Sequence, residues 1–116
     1  MAVRHKFSGY NDEALTTTVK SISSDADFAT KGRVFWLKGI SISNTHASET
    51  GLVDLYDQDE GAIVAANQRG SILCPPNSTT VVDYPAPGIK FATEVGAVLT
   101  NGTVGAYDVL VTGYEE

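Results

Sequence analysis

Cysteine is almost missing from this chain, and Cys74 stands alone, so no intrachain disulfide is available and the fold must hold by packing. Long apolar runs are absent as well, which excludes a helical membrane span. The two histidines, His5 and His46, have no cysteine or second histidine at metal-ligand spacing, so no zinc site is expected. No Gly-x-Ser-x-Gly elbow and no glycine-rich phosphate loop occurs, which removes the usual signals of nucleophilic catalysis and of nucleotide binding. No enzyme activity and no cofactor are therefore expected. Helical patterns are scarce; the best of them, Asp12–Lys20, carries the run Thr16-Thr17-Thr18-Val19, whose propensity favours a strand. The opening Met-Ala-Val-Arg-His-Lys-Phe is basic but lacks the apolar stretch of about 7 to 15 residues that a secretion signal requires. Without that route, Asn77-Ser78-Thr79 and Asn101-Gly102-Thr103 read as turn chemistry and not as glycan acceptors.

Basic residues are also few beyond residue 40. The formal net charge of −6 divides into +2 over residues 1–40 and −8 over residues 41–116. An acidic body repels a phosphate backbone, so nucleic acid is not the expected partner. The basic N-terminal part suits either an acidic protein surface or plain solvation.

β-Branched side chains are abundant: twelve Val, six Ile and twelve Thr among 116 residues, a composition that suits a half-buried pleated surface. Short apolar runs separated by Gly, Pro, Asn, Asp and Ser predict one all-β domain, a single antiparallel β-sandwich of about eight or nine strands. The strands are expected near Ala2–Phe7, Leu15–Ser23, Arg33–Ser43, Leu52–Tyr56, Ala62–Ala66, Thr79–Tyr84, Ile89–Ala92, Val95–Thr100 and Val104–Thr112. Residues 1–13 read as an N-terminal segment, a docking arm or an edge strand, and residues 14–116 as the sandwich. Cys74-Pro75-Pro76-Asn77-Ser78 and Tyr84-Pro85-Ala86-Pro87-Gly88 are corners, because proline lacks the backbone donor that a ladder needs. Asn101-Gly102 signals a tight hairpin.

Val34-Phe35-Trp36-Leu37 is apolar on both faces of its strand, so one face meets the core and the other needs a cover. That cover is the N-terminal segment, another subunit or the chain's own loops. The candidate interface is therefore Val34, Phe35, Trp36 and Leu37 together with Val3, Arg4, His5, Lys6 and Phe7. Asp57-Gln58-Asp59-Glu60-Gly61 faintly matches the start of a calcium loop but lacks its fifth-position ligand and its later bidentate Glu, Gln68 standing there instead. A hairpin tip accounts for the same residues. Trp36, Tyr10, Tyr56, Tyr84, Tyr107 and Tyr114 offer a sugar-stacking platform or, at strand positions, core packing.

Cys74-Pro75-Pro76-Asn77-Ser78-Thr79-Thr80-Val81-Val82-Asp83-Tyr84-Pro85-Ala86-Pro87-Gly88-Ile89-Lys90-Phe91-Ala92-Thr93 resembles a pattern in small structural proteins of tailed bacteriophages, with a Pro-rich corner, a strand, a "Pro-Gly-Ile-x-Phe" turn and a final strand pair that closes the domain. Leu52–Asp57, the acidic turn and Ala62–Ala65 look like their upstream hairpin. The first 32 residues lie outside the match. The resemblance implies a jelly-roll-like sandwich, frequently trimeric, acting as a capsid decoration (cement) protein. Its implied partner is the major capsid protein and its implied location is the capsid surface of the virion, after synthesis in the host cytoplasm. It supplies no catalytic residues. A carbohydrate- or receptor-binding module of a tail or fibre, or another tail or connector component, is the alternative.

Overall fold

The computed structural model describes residues 15–22 and 34–116 in full and residues 5–11 through their backbone. Among the described residues nine strands form two antiparallel sheets: β1 (His5–Asn11), β2 (Lys20–Ser21), β3 (Phe35–Asn44), β4 (Gly51–Asp57), β5 (Gln68–Cys74), β6 (Ser78–Asp83), β7 (Ile89–Phe91), β8 (Val95–Asn101) and β9 (Tyr107–Glu115). One sheet runs β1-β9-β3-β6, with β7 also paired to β3, and the other runs β2-β8-β4-β5. Apart from the β4–β5 hairpin and the β6–β7 step, every connection carries the chain from one sheet to the other. That order, with β6 and β7 counted as two halves of one strand, is the double Greek key of a jelly roll.

Alternation explains which side chains meet. Phe35 and Leu37 from β3, Val53 and Leu55 from β4, Phe91 from β7, Val95 and Ala97 from β8 and Val111 from β9 all have zero exposure and fill the space between the sheets. The period of two breaks inside β3. The register against β9 shifts between Leu37 and Gly39, so Phe35 and Leu37 point inward before the bulge and Ile40 and Ile42 after it. One extra residue thus keeps both halves of a ten-residue strand facing one core. At this bulge β6 hands over to β7: the Tyr84 N–H donates to the Lys38 carbonyl at 2.8 Å, and the chain then loops out through Pro85–Gly88 before β7 rejoins β3. Gly88 turns that loop with φ +100°, and a Cβ there would meet the Leu37 carbonyl, so the position demands glycine. Gly113 meets the same requirement from β9, where a Cβ would strike the Trp36 carbonyl and the Phe35 ring.

Several expected elements fall elsewhere. Ala62–Ala66 is not a strand; it is exposed loop leading into a 3-10 turn at Ala65–Asn67. The strand is the following segment Gln68–Cys74. It escapes a hydrophobic search because an edge strand needs few inward apolar residues, here Ile72 and Cys74. Leu15–Ser23 contracts to the two residues of β2 with an isolated bridge at Val19–Gly61. Asn101-Gly102 is not a hairpin turn, since β8 and β9 belong to different sheets. It opens a crossing between them, and the last strand begins at Tyr107, leaving Val104 53% exposed in the loop.

Candidate docking face

The outer face of the five-stranded sheet is built in rows across the strands. In one row Trp36 stands between Tyr114 on β9 and Lys90 on β7, and Tyr114 in turn stands opposite Lys6 on β1. Further along, Ser41 stands between Leu110 and Val81. Leu110 and Val81 are 41% and 63% exposed. The next row pairs Ser43 with Asp108 and Thr79, and the Ser43 and Thr79 hydroxyls lie 3.0 Å apart. Large apolar side chains therefore alternate with serine, threonine and glycine across this face.

Among the hollows on this face are two of about 140 Å³ each. The first is lined by Trp36, Lys38, Ala86, Pro87 and Tyr114. Its wall is the Pro85–Gly88 loop, pinned by the Lys38 ammonium donating to the Tyr84 carbonyl at 2.8 Å. The indole Nε1 of Trp36 is buried without a hydrogen-bond partner among the described residues. The second lies over Gly39, Ser41, Val81, Asp83, Leu110 and Thr112.

Of the residues expected at an interface, Phe35 and Leu37 must be removed: both are wholly buried in the core. The strand's period of two turns Val34 and Trp36 outward and the other two inward. Val34 and Trp36 are half-buried, and Trp36 shares the walls of the first hollow with Tyr114, Lys38 and Pro87. His5, Lys6 and Phe7 lie in β1, opposite Glu115, Tyr114 and Gly113. Val3 and Arg4 lie outside the described residues. The aromatic set divides likewise. Trp36 and Tyr114 share the first hollow, whereas Tyr107 and Tyr56 are buried at 3% and 6% exposure.

A heavily bonded polar cluster lies at one end of the sandwich, where the sequence offers no motif. Asn44, 2% exposed, donates through Nδ2 to the carbonyls of Glu49 (2.7 Å), Cys74 (3.1 Å) and Pro75 (3.2 Å), and its Oδ1 accepts from His46 N–H at 2.9 Å. His46 Nδ1 accepts the N–H groups of Ser48 and Glu49. Glu49 accepts from Thr103 N–H at 2.6 Å, from the Thr103 hydroxyl and from the Tyr107 hydroxyl, both at 3.0 Å. Desolvation opposes the Glu49 charge, but these donors and nearby His46 outweigh it and hold the carboxyl below its ordinary range. Burial, aided by Glu49, pushes the Tyr107 phenol up to about 12. Burial pushes the Cys74 thiol up to about 11, so it stays protonated at neutral pH and packs as a small apolar side chain. Three loops are tied together here by groups that are already fully engaged, which makes this end a structural knot.

Asp57 is engaged in the same way. It accepts the N–H groups of Ala92 and Thr93 at 3.0 and 2.8 Å and pairs with Arg69 at 3.7 Å, fixing the turn between β7 and β8. Among the described residues no three His, Cys, Asp or Glu side chains converge as a metal site. No protein-family model matches this chain, and no significantly similar curated protein matches it.

Proposed function

We propose that this chain is a non-enzymatic virion structural protein, a decoration protein that docks on a bacteriophage head through the outer face of its five-stranded sheet. The carrying observation is that face: Val81, Ser41 and Leu110 in one row and Trp36 and Tyr114 in another, with Val81 and Leu110 exposed. Such a surface suits a protein partner, which needs area more than depth, typically about 1,200 to 2,000 Å² in total. Binding the assembled shell and not its separated subunits stabilises the shell by mass action. The basic residues Arg4 and Lys6 belong to the same proposal, as contacts to an acidic shell surface. The test is cosedimentation of the purified chain with emptied capsids of the phage that encodes it. Saturable binding is expected, reduced by Leu110→Glu and, for the basic contacts, by Arg4→Glu with Lys6→Glu; absence of binding overturns the reading.

A carbohydrate-binding role at a tail or fibre is the second reading, favoured by one observation: Trp36 and Tyr114 line a hollow together with Lys38. Aromatic faces beside a polar donor suit a sugar ring. Glycan-array signal abolished by Tyr114→Ala supports it, and a blank array removes it.

A further inference from the structure

Among the described residues the two sheets end in four edges, and these are not alike. β2 has two residues, too short to template another strand. β1 carries His5 and Lys6. β5 carries Arg69 and is interrupted by a register shift against β4 at Leu55/Tyr56. Short length, cationic side chains and bulges are the devices that keep strand edges from pairing with other chains. The fourth edge, β6 with the sequence Ser-Thr-Thr-Val-Val-Asp, has no basic residue, no proline and no bulge. Its continuation β7 is short and carries Lys90, so the unprotected stretch is Ser78–Asp83.

The backbone of β6 is set for pairing. Tyr84 N–H donates to the Lys38 carbonyl, and the two-residue period of an antiparallel ladder then turns Val82, Thr80 and Ser78 toward β3. Thr79, Val81 and Asp83 direct their N–H and C=O groups away from β3, and among the described residues β6 has no strand on that side. β5 and β6 adjoin through the corner at residues 75–77, so both edges line one side of the sandwich. The two most exposed large apolar residues, Val81 at 63% and Leu73 at 62%, belong to these two strands.

We propose that a second copy of this chain pairs with β6 edge to edge, antiparallel about a two-fold axis through Val81. Val81 then faces Val81 of the second copy, and Thr79 faces Asp83, so no like charges stand opposite each other. A six-residue pairing spans about 20 Å. The row Leu110–Ser41–Val81 continues into its counterpart, giving one uninterrupted apolar strip across both copies. An axis normal to the sheets brings the β5 edges, with Leu73, alongside each other as well. The contact is isologous and closes at two copies, in contrast to the three-fold assembly that the phage resemblance implies.

The experiment is mass measurement of the purified full chain by light scattering at roughly 100 µM, where interfaces with micromolar dissociation constants are filled. A species of twice 12.3 kDa is expected. Val81→Lys, at an exposed position, places two cations opposite each other and raises the dissociation constant on the order of tenfold or more, with an unchanged β-type circular dichroism spectrum. Val81→Cys cross-links two chains on mild oxidation, Cys74 being buried, whereas Val104→Cys in the loop 102–106 does not. A monomer or trimer in the unaltered chain, a dimer undisturbed by Val81→Lys, or equal cross-linking at both cysteine positions overturns the proposal.

Discussion

The two sheets share one core but differ on their outer faces. Over the four-stranded sheet, Val19 from the segment before β2 lies on Tyr56 and Val98, which are 6% and 1% exposed, forming a second small core outside the first. Asp54 on the same face is 8% exposed and accepts the Thr100 hydroxyl. Over the five-stranded sheet Val81 and Leu110 stay open. An apolar outer row costs little when a segment of the same chain covers it; left uncovered, it is a surface for a partner.

That contrast breaks if side chains on the covered face prove dispensable. Tyr56→Ala is expected to lower stability by ~3 kcal/mol, because it empties the small outer core beneath Val19; urea unfolding measures it. Asn44→Ala comes next, at about 1–3 kcal/mol, since the carbonyls of Glu49, Cys74 and Pro75 lose their buried donor. The same unfolding assay reads this loss. Leu110→Ser on the open face should stay within ~0.5 kcal/mol of the unaltered protein in stability while weakening shell binding. A large stability loss there would show that the open face is held from within.

Acid titration sharpens the comparison with the loop end. The folded-state pKa of Glu49 lies below its ordinary 4.5, so the ionised group binds its donors more favourably in the folded chain. Its contribution is full above the unfolded-state value and disappears as pH falls through the lower folded-state value. Melting temperature followed from pH 7 downward should therefore converge for the unaltered chain and Glu49→Gln below that range. Parallel curves would remove Glu49 from the acid response. Tyr107 has the opposite sign: its pKa is raised to about 12, so its share is present below the ordinary phenol value of 10 and lost as pH rises between the two.

Much of the fold was legible because alternation and turn chemistry are local. Tyr107, Val109 and Val111 show the period of two in sequence and lie buried on one face of β9, and both Pro-rich corners fall where the ladder has to stop. β5 is not legible in the sequence because Gln68-Arg69-Gly70-Ser71 faces water on an edge and carries no hydrophobic signal. A run of four apolar residues does not state which two face the core, so Phe35 and Leu37 stand among the interface candidates in sequence although the fold buries both.

Composition and short-range pattern alone determined that this is a disulfide-free, antiparallel β protein with strands near 33–43, 52–56, 79–84 and 95–100, because each depends on a residue and its immediate neighbours. Which rows stand open, where the bulge at Lys38 reverses the alternation, how Asn44 and Glu49 tie three loops together, and which strand is left as an unguarded edge were decided only by tertiary structure. Each depends on a partner tens of residues away in the chain, and the sequence around any one of these groups is silent about what packs against it.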